Sequence, residues 1–163
     1  MGAEFTLMKQ FLSCSVALFF LAFVCGTGSS SLARAADSSH MKTLTPEELV
    51  HQLATPKGAK PLLLHVGPRM LYLQAHIPGA EYIGPGSDPE AIKQLRARAQ
   101  SLPHSSLIVL YCGCCPWSHC PNVAPAYSEL QRMGFTNIKV LYIADNLGTD
   151  WVYKGYPTVR AAN

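Results

Sequence analysis

The chain has 163 residues, with 13 Lys or Arg against 10 Asp or Glu and a formal net charge of +3. A positive excess this small and scattered argues against a nucleic-acid partner. Residues 36–163 are enough for one domain with a hydrophobic core.

The amino terminus is typical of a secretory signal peptide. A short basic start at Met8-Lys9 precedes an almost continuous apolar run, Phe11–Val24, and Ala33-Arg34-Ala35 fits a small-x-small cleavage site. The run is shorter than the roughly 20 residues of a spanning helix, although a retained membrane anchor is the alternative. We therefore predict a signal peptide over 1–35, with residues 1–7 upstream of the true start. The remaining chain is expected in the periplasm, free of the membrane.

A polar segment, 36–43, is predicted to be a flexible lead-in to the domain. The first helix then follows from its capping residues. Thr45 can cap, Pro46 suits the first helical position, and Glu48 completes a capping box. The helix should end before Pro56.

Short apolar runs and helical patterns alternate over the next part of the chain. In order, the sequence predicts a buried strand at 62–66, a helical turn at 70–74, a turn at 76–80, a strand at 81–83, a helix begun by Pro89 after the cap Asp88, and a strand at 107–111. In the helix after Asp88, three apolar residues are expected to face inward and three basic residues to be solvated: Ile92, Leu95 and Ala99, and Lys93, Arg96 and Arg98.

After residue 120 the helical pattern returns. Asn122 is expected to cap a helix that Gly134 terminates, and a strand is predicted at 138–143. A last short helix is expected to begin at Trp151. Strands that alternate with helices predict a parallel sheet with right-handed crossovers.

The stretch directly after the strand at 107–111 carries most of the chemistry. If the signal peptide is removed, all remaining cysteines lie within nine residues, together with one histidine: Cys112, Cys114, Cys115, His119 and Cys120. Structural disulfides in secreted proteins link distant segments of the chain. These four cysteines can pair only with one another, which favours a functional site. Their place at the carboxyl end of a strand, ahead of a helix, is where open α/β sheets bind ligands.

Five segments, in order, resemble the rhodanese-like (sulfurtransferase) family. They are Thr45-Pro-Glu-Glu-Leu49, His76-Ile-Pro-Gly-Ala80, Leu107-Ile-Val-Leu-Tyr-Cys112, Gly134-Phe135, and Trp151 with Gly155-Tyr-Pro157. The resemblance covers roughly 44–159 and implies a rhodanese-like domain over 44–160. The implied fold is a three-layer α/β domain with a central, mainly parallel sheet flanked by helices.

This chain departs from the usual sequence pattern of the family at two places. Typical members end one strand in Asp-Val-Arg, where this chain has His65-Val66-Gly67. Their active loop is shorter and carries an arginine, whereas the segment from Gly113 to Pro121 has neither arginine nor lysine. The resemblance therefore transfers the fold better than the substrate, and turnover of thiosulfate is in doubt.

For the site, the resemblance implies that Cys112 is the nucleophile and holds sulfane sulfur as a persulfide. Backbone N–H groups from Gly113 onward would stabilise the anion. His119 and Arg69 are candidates to replace the missing positive charge. His65 is expected to be a core histidine bound to a backbone carbonyl, with a role in the site as the alternative.

Three interpretations of the neighbouring cysteines stay open. Cys112-Gly-Cys-Cys115 has the C-x-x-C spacing of dithiol redox sites, and Cys120 lies near a helix amino terminus that would lower its pKa. Cys112, Cys114, Cys115, His119 and Cys120 could instead bind zinc or copper(I). A disulfide such as Cys115–Cys120 could simply brace the long loop.

The sequence therefore predicts a single-domain sulfurtransferase acting through a Cys112 persulfide. Its partners would be a small sulfur-containing donor and a thiol or protein acceptor, and we expect a monomer with no cofactor. The alternatives are a thiol–disulfide redox protein of the cell envelope and a non-catalytic zinc or copper carrier.

Overall fold

The computed structural model describes residues 40–55 and 60–160. The predicted signal peptide lies outside them, and none of the described helices is both long and apolar enough to cross a bilayer. The described strands are β1 (Thr43–Leu44), β2 (Leu62–His65), β3 (Glu81–Tyr82), β4 (Ile108–Tyr111) and β5 (Ile138–Leu141), and the α-helices are α1 (Pro46–Ala54), α2 (Arg69–Gln74), α3 (Pro89–Ala99) and α4 (Val123–Arg132). A 3₁₀ turn covers Trp117–His119, and a π-helical turn covers Gly148–Val152.

The five strands form one sheet in the order β1-β5-β4-β2-β3, and every neighbouring pair is parallel. The register pairs His65 with Tyr111, so β2 and β4 end side by side at the carboxyl edge. The predicted α/β fold with a parallel sheet is confirmed. The edge at which β2 and β4 end also carries the cysteine loop.

The central strand β4 is buried on both faces, because its side chains alternate between two hydrophobic clusters. Ile108 and Leu110 pack in one cluster with residues of α3 and α4, while Val109 and Tyr111 pack in the other with Leu49 of α1 and with Trp151. The sheet is thus the middle of three layers, as the resemblance implies.

Two features at the ends of the domain differ from the prediction. Strand β1 was not predicted, and it joins the sheet edge through the Tyr142 N–H, which donates to the Leu44 carbonyl, and through pairing of Thr43 with Val140. The last helix was predicted to begin at Trp151. That prediction is wrong, since Trp151 lies inside the π-helical turn, fully buried, and its indole N–H donates to the Pro157 carbonyl.

The basic face predicted for α3 is only partly correct. Arg96 and Arg132 both bind the carboxylate of Glu129, whose side chain is 3% exposed, and the hydrogen bond from Arg96 is the main cause that lowers the pKa of Glu129. Arg98 makes a bidentate ion pair with Glu81. These pairs connect α3 to α4 and to β3, because long arginine side chains reach partners that helical periodicity does not reveal.

A buried tyrosine connects the 76–80 turn to the central strand. The Ile77 N–H donates to the Tyr111 hydroxyl oxygen at 3.2 Å, and both residues are 0% exposed. Burial is the main cause that raises the pKa of Tyr111. The hydroxyl is therefore a neutral acceptor that fixes the turn beside the carboxyl edge of the sheet.

We expect Tyr111→Phe to lower the free energy of unfolding by about 1–3 kcal/mol, because the buried Ile77 N–H loses its acceptor. Urea unfolding followed by tryptophan fluorescence measures the change. Tyr153→Phe is the matched control, since Tyr153 is 86% exposed, and its midpoint should stay unchanged. Equal midpoints for both variants would contradict the role given to the Tyr111 hydroxyl.

Candidate active site

Cys112 directly follows β4 and continues its alternation into the cluster packed by α3 and α4. Its side chain is only 2% exposed. The space beside it depends on Gly67, because a Cβ at that position would lie 2.6 Å from the Cys112 Sγ. The glycine that stands where typical family members have arginine thus leaves room for the thiol.

The four cysteines form a chain of contacting thiols. The Cys114 Sγ lies 3.2 Å from the Cys112 Sγ and 3.1 Å from the Cys115 Sγ. The sulfurs of Cys112, Cys114 and Cys120 all lie within 4.8 Å of one another. Cys112 and Cys120 are buried, whereas Cys114 is exposed.

Cys120 holds the negative charge of this cluster. A hydrogen bond from Cys112 and the backbone N–H groups of Asn122 and Val123, at the start of α4, lower the pKa of Cys120 to about 5. The pKa of Cys112 is raised, first by its hydrogen bond to Cys120 and then by burial. The two thiols therefore share one proton at neutral pH, with the charge on Cys120.

Cys115 is a thiol that keeps its proton at neutral pH. It is partly buried, and its pKa is raised to about 12 by burial and by its hydrogen bond with Cys114. All four cysteines are free thiols in this structure. The bracing Cys115–Cys120 disulfide is therefore not formed here.

Asn122 belongs to the site, which the sequence analysis missed. It occupies the N-cap position of α4, but its backbone is helical and its side chain makes no capping hydrogen bond. Its Oδ1 accepts from the N–H and the hydroxyl of Ser87 at 3.2 and 2.9 Å, and its Nδ2 donates to the Cys112 Sγ at 3.4 Å. Gly86 allows this approach, since a Cβ there would lie 2.0 Å from the Asn122 carbonyl oxygen.

The structure places neither predicted source of positive charge in contact with the thiols. His119 lies in the 3₁₀ turn, exposed, with its Nδ1 at 3.1 Å from the Ser118 hydroxyl. Arg69 begins α2, and its guanidinium lies 5.7 Å above the Tyr82 ring centre. The backbone N–H groups at the start of α4 supply the positive end of a dipole instead.

His65 is fully buried among the rings of Tyr72, Tyr82 and Tyr111. Its Nδ1 accepts from the Gly67 N–H at 3.4 Å, and the ring also interacts with the backbone of Cys112. Burial lowers the pKa of His65 to about 4, against the raising effect of the Cys112 backbone. The ring is therefore neutral at pH 7 and adds no charge to the site.

A cavity of about 620 Å³ opens beside the cysteine loop, between α2 and the π-helical turn. Its wall includes Met70, Leu71, Leu147, Val152, Gly113 and Cys114. The Leu147 N–H donates to the Gly113 carbonyl at 3.0 Å, which joins the two loops that form the wall. Cys114 is the cysteine that lines this cavity.

Three of the thiols have the spacing for a thiophilic metal ion. The described residues offer the sulfurs of Cys112, Cys114 and Cys120 as a group, without the predicted ligands His119 and Cys115. A structural zinc site usually has four ligands, whereas soft thiolates suit copper(I). The arrangement fits copper(I) better than a closed zinc site.

Comparisons with solved structures identify the fold. A crystal structure of the Alr3790 protein from Anabaena sp. is 25% identical, with a TM-score of 0.55, over 72% of this chain and 82% of that one. The BH2092 protein from Bacillus halodurans is 18% identical with a TM-score of 0.56, over 73% and 77%. A rhodanese-like domain protein from Staphylococcus aureus is 15% identical with a TM-score of 0.51, over 75% and 100%.

No curated protein sequence matches the chain. A family model described as the rhodanese-like domain matches residues 45–142, which include β2, the 76–80 turn, β4 and the whole cysteine loop. The parallel sheet and its flanking helices agree with that assignment. The chain belongs to the rhodanese-like domain family.

Proposed function

We propose that the protein is a sulfurtransferase that carries sulfane sulfur as a persulfide on Cys112. The observation that supports this most is the environment of the Cys112 Sγ. The sulfur lies at the end of the central strand, accepts a hydrogen bond from Asn122 and shares its proton with Cys120. The neighbouring Cys120 sulfur offers an acceptor for the proton that Cys112 must lose when it attacks.

In the loading step, Cys112 passes its proton to the Cys120 thiolate and attacks the sulfane sulfur of the donor molecule. A new S–S bond forms on Cys112, and the leaving group departs with the electron pair of the bond that breaks. In the unloading step, an acceptor thiolate attacks the outer sulfur, Cys112 leaves as a thiolate, and it regains the proton from Cys120. The sulfane sulfur keeps its oxidation level throughout.

The Asn122 amide and the amino terminus of α4 supply the polar groups that a persulfide anion needs. Asn122 Nδ2 already lies 3.4 Å from the Cys112 Sγ, and the N–H groups of Asn122 and Val123 already stabilise charge on Cys120. Backbone N–H groups at a helix start bind anions without a lysine or arginine. As part of the same proposal, the domain acts in the periplasm on a small sulfur donor and a thiol or protein acceptor.

One observation favours a second candidate function, thiol–disulfide exchange. The sulfurs of Cys112 and Cys120 are free and lie within 4.8 Å of each other. Attack on a partner disulfide would oxidise this pair to a disulfide and reduce the partner to two thiols, so electrons and protons balance. This function needs no sulfane sulfur.

We expect Cys112→Ser to lower transfer from sulfane donors to cyanide or thiols strongly, because the serine hydroxyl cannot hold a persulfide. Mass spectrometry of the wild type should find one added sulfur atom on Cys112. Cys115→Ser is the matched control, since the Cys115 sulfur contacts Cys114 and lies outside the group of Cys112, Cys114 and Cys120, and it should keep most of the activity. Wild-type rates in Cys112→Ser, or no added sulfur with any donor, would disprove the proposal.

The charge on Cys120 predicts an ionisation well below that of an ordinary thiol. Its pKa is lowered to about 5, so the thiolate is present above that pH and is protonated below it. We expect the ultraviolet thiolate absorbance to rise near pH 5 in the wild type and in Ser118→Ala, a change at an exposed residue of the same loop. In Cys120→Ser the first ionisation should move toward the usual value of about 8.5, and a wild type without the low step would contradict the assignment.

Titration in glutathione redox buffers tests the second candidate. If Cys112 and Cys120 form a redox couple, the number of free thiols should fall by two as the buffer becomes oxidising, and peptide mapping should find the Cys112–Cys120 link. Either single serine variant should remove the transition. A constant thiol count across the titration would exclude this function.

A further inference from the structure

Cys112 is deeply buried, so a sulfur donor reaches its thiol poorly from solvent. Cys112 is 2% exposed and is not part of the cavity wall, whereas Cys114 is exposed and lines the 620 Å³ cavity. A donor that enters this cavity therefore reaches the Cys114 sulfur first. The Cys114 Sγ is also in contact with the Cys112 Sγ, at 3.2 Å.

The wall of the cavity indicates what kind of donor it accepts. Its described lining has no charged residue, and apolar side chains of Met70, Leu71, Leu147 and Val152 form much of it. The guanidinium of Arg69 lies over the Tyr82 ring. A dianion such as thiosulfate would lack a counter-charge in this lining, while an apolar substituent gains free energy from burial.

We propose that Cys114 takes sulfane sulfur from a donor with an apolar organic group and at most one negative charge, and then passes the sulfur to Cys112. This inference rests on the proposed sulfurtransferase function and adds its donor class and the thiol that receives the sulfur. An organic thiosulfonate, R–SO₂–S⁻, represents the donor class.

The two steps balance in atoms and electrons. Cys114, which is exposed, gives its proton to solvent and attacks the terminal sulfur of R–SO₂–S⁻. An S–S bond forms on Cys114, and the sulfinate R–SO₂⁻ leaves with the electron pair of the broken S–S bond. Cys112 then gives its proton to Cys120 and attacks the outer sulfur of the Cys114 persulfide. Cys114 leaves as a thiolate, and the outer sulfur moves to Cys112 without a change in oxidation level.

The distances suit this transfer. An S–S bond is about 2 Å long, so the outer sulfur of a Cys114 persulfide can lie near the Cys112 Sγ, which is 3.2 Å from the Cys114 Sγ. The Cys120 sulfur, within 4.8 Å of both, is in place to take the proton. The three sulfurs thus form a short relay from the cavity to the core.

Single-turnover loading of the purified protein with benzenethiosulfonate tests the relay. We expect Cys114→Ser to slow the appearance of sulfur on Cys112 by roughly tenfold or more, because a poorly exposed thiol is badly placed for direct attack. Ser118→Ala, at an exposed residue of the same loop, is the control and should load at the wild-type rate. In Cys112→Ser the added sulfur should remain on Cys114, as located by peptide mass spectrometry.

These outcomes separate the inference from the proposed function. If Cys114→Ser loads Cys112 at the wild-type rate, or if Cys112→Ser shows no sulfur on Cys114, the relay is disproved while the persulfide on Cys112 stands. If the wild type shows no sulfur on Cys112 with any donor, the proposed function itself fails.

Three donors test the donor class. Benzenethiosulfonate and methanethiosulfonate carry the same charge and differ in the apolar ring, and thiosulfate carries a second charge. We expect kcat/KM to fall in that order. Met70→Lys places a cation at a cavity residue that is 65% exposed and should raise kcat/KM for thiosulfate several-fold, whereas Met70→Gln should not. Thiosulfate as the best donor of the wild type would overturn the donor class.

Discussion

The backbone N–H groups of Asn122 and Val123 hold a negative charge on Cys120, and the protonation of the neighbouring thiols follows from that charge. Cys112 keeps its proton because Cys120 accepts a hydrogen bond from it. In a loop without lysine or arginine, a helix amino terminus is the available source of positive potential. The loop thus uses a dipole where typical members of the family use an arginine.

The fold brings the components of the site together by simple rules. Parallel pairing puts the ends of β2 and β4 at one edge, and alternation along β4 directs Cys112 toward the layer of α3 and α4. Asn122, at the start of α4, then reaches both Ser87 and the Cys112 thiol. The polar contacts of the nucleophile therefore depend on where α4 begins relative to the end of β4.

The alternation of apolar runs with capped helices was enough to predict the parallel sheet. The resemblance pointed to Cys112, which the structure places directly after β4. The roles of Asn122 and His119 were not predictable in this way. Asn122 has the composition of an N-cap, but its side chain binds across the fold to Ser87. His119 is close to Cys120 in sequence, yet the 3₁₀ turn leaves it exposed. Such contacts depend on tertiary packing, which local patterns do not encode.

Gly67 limits which residues the chain can accept between β2 and α2. A Cβ at position 67 would lie 2.6 Å from the Cys112 sulfur and 2.9 Å from its carbonyl oxygen. Any side chain at position 67 would therefore displace the Cys112 sulfur. A side chain at position 67 and the present position of Cys112 exclude each other, so a substitution of Gly67 would require the cysteine loop to move.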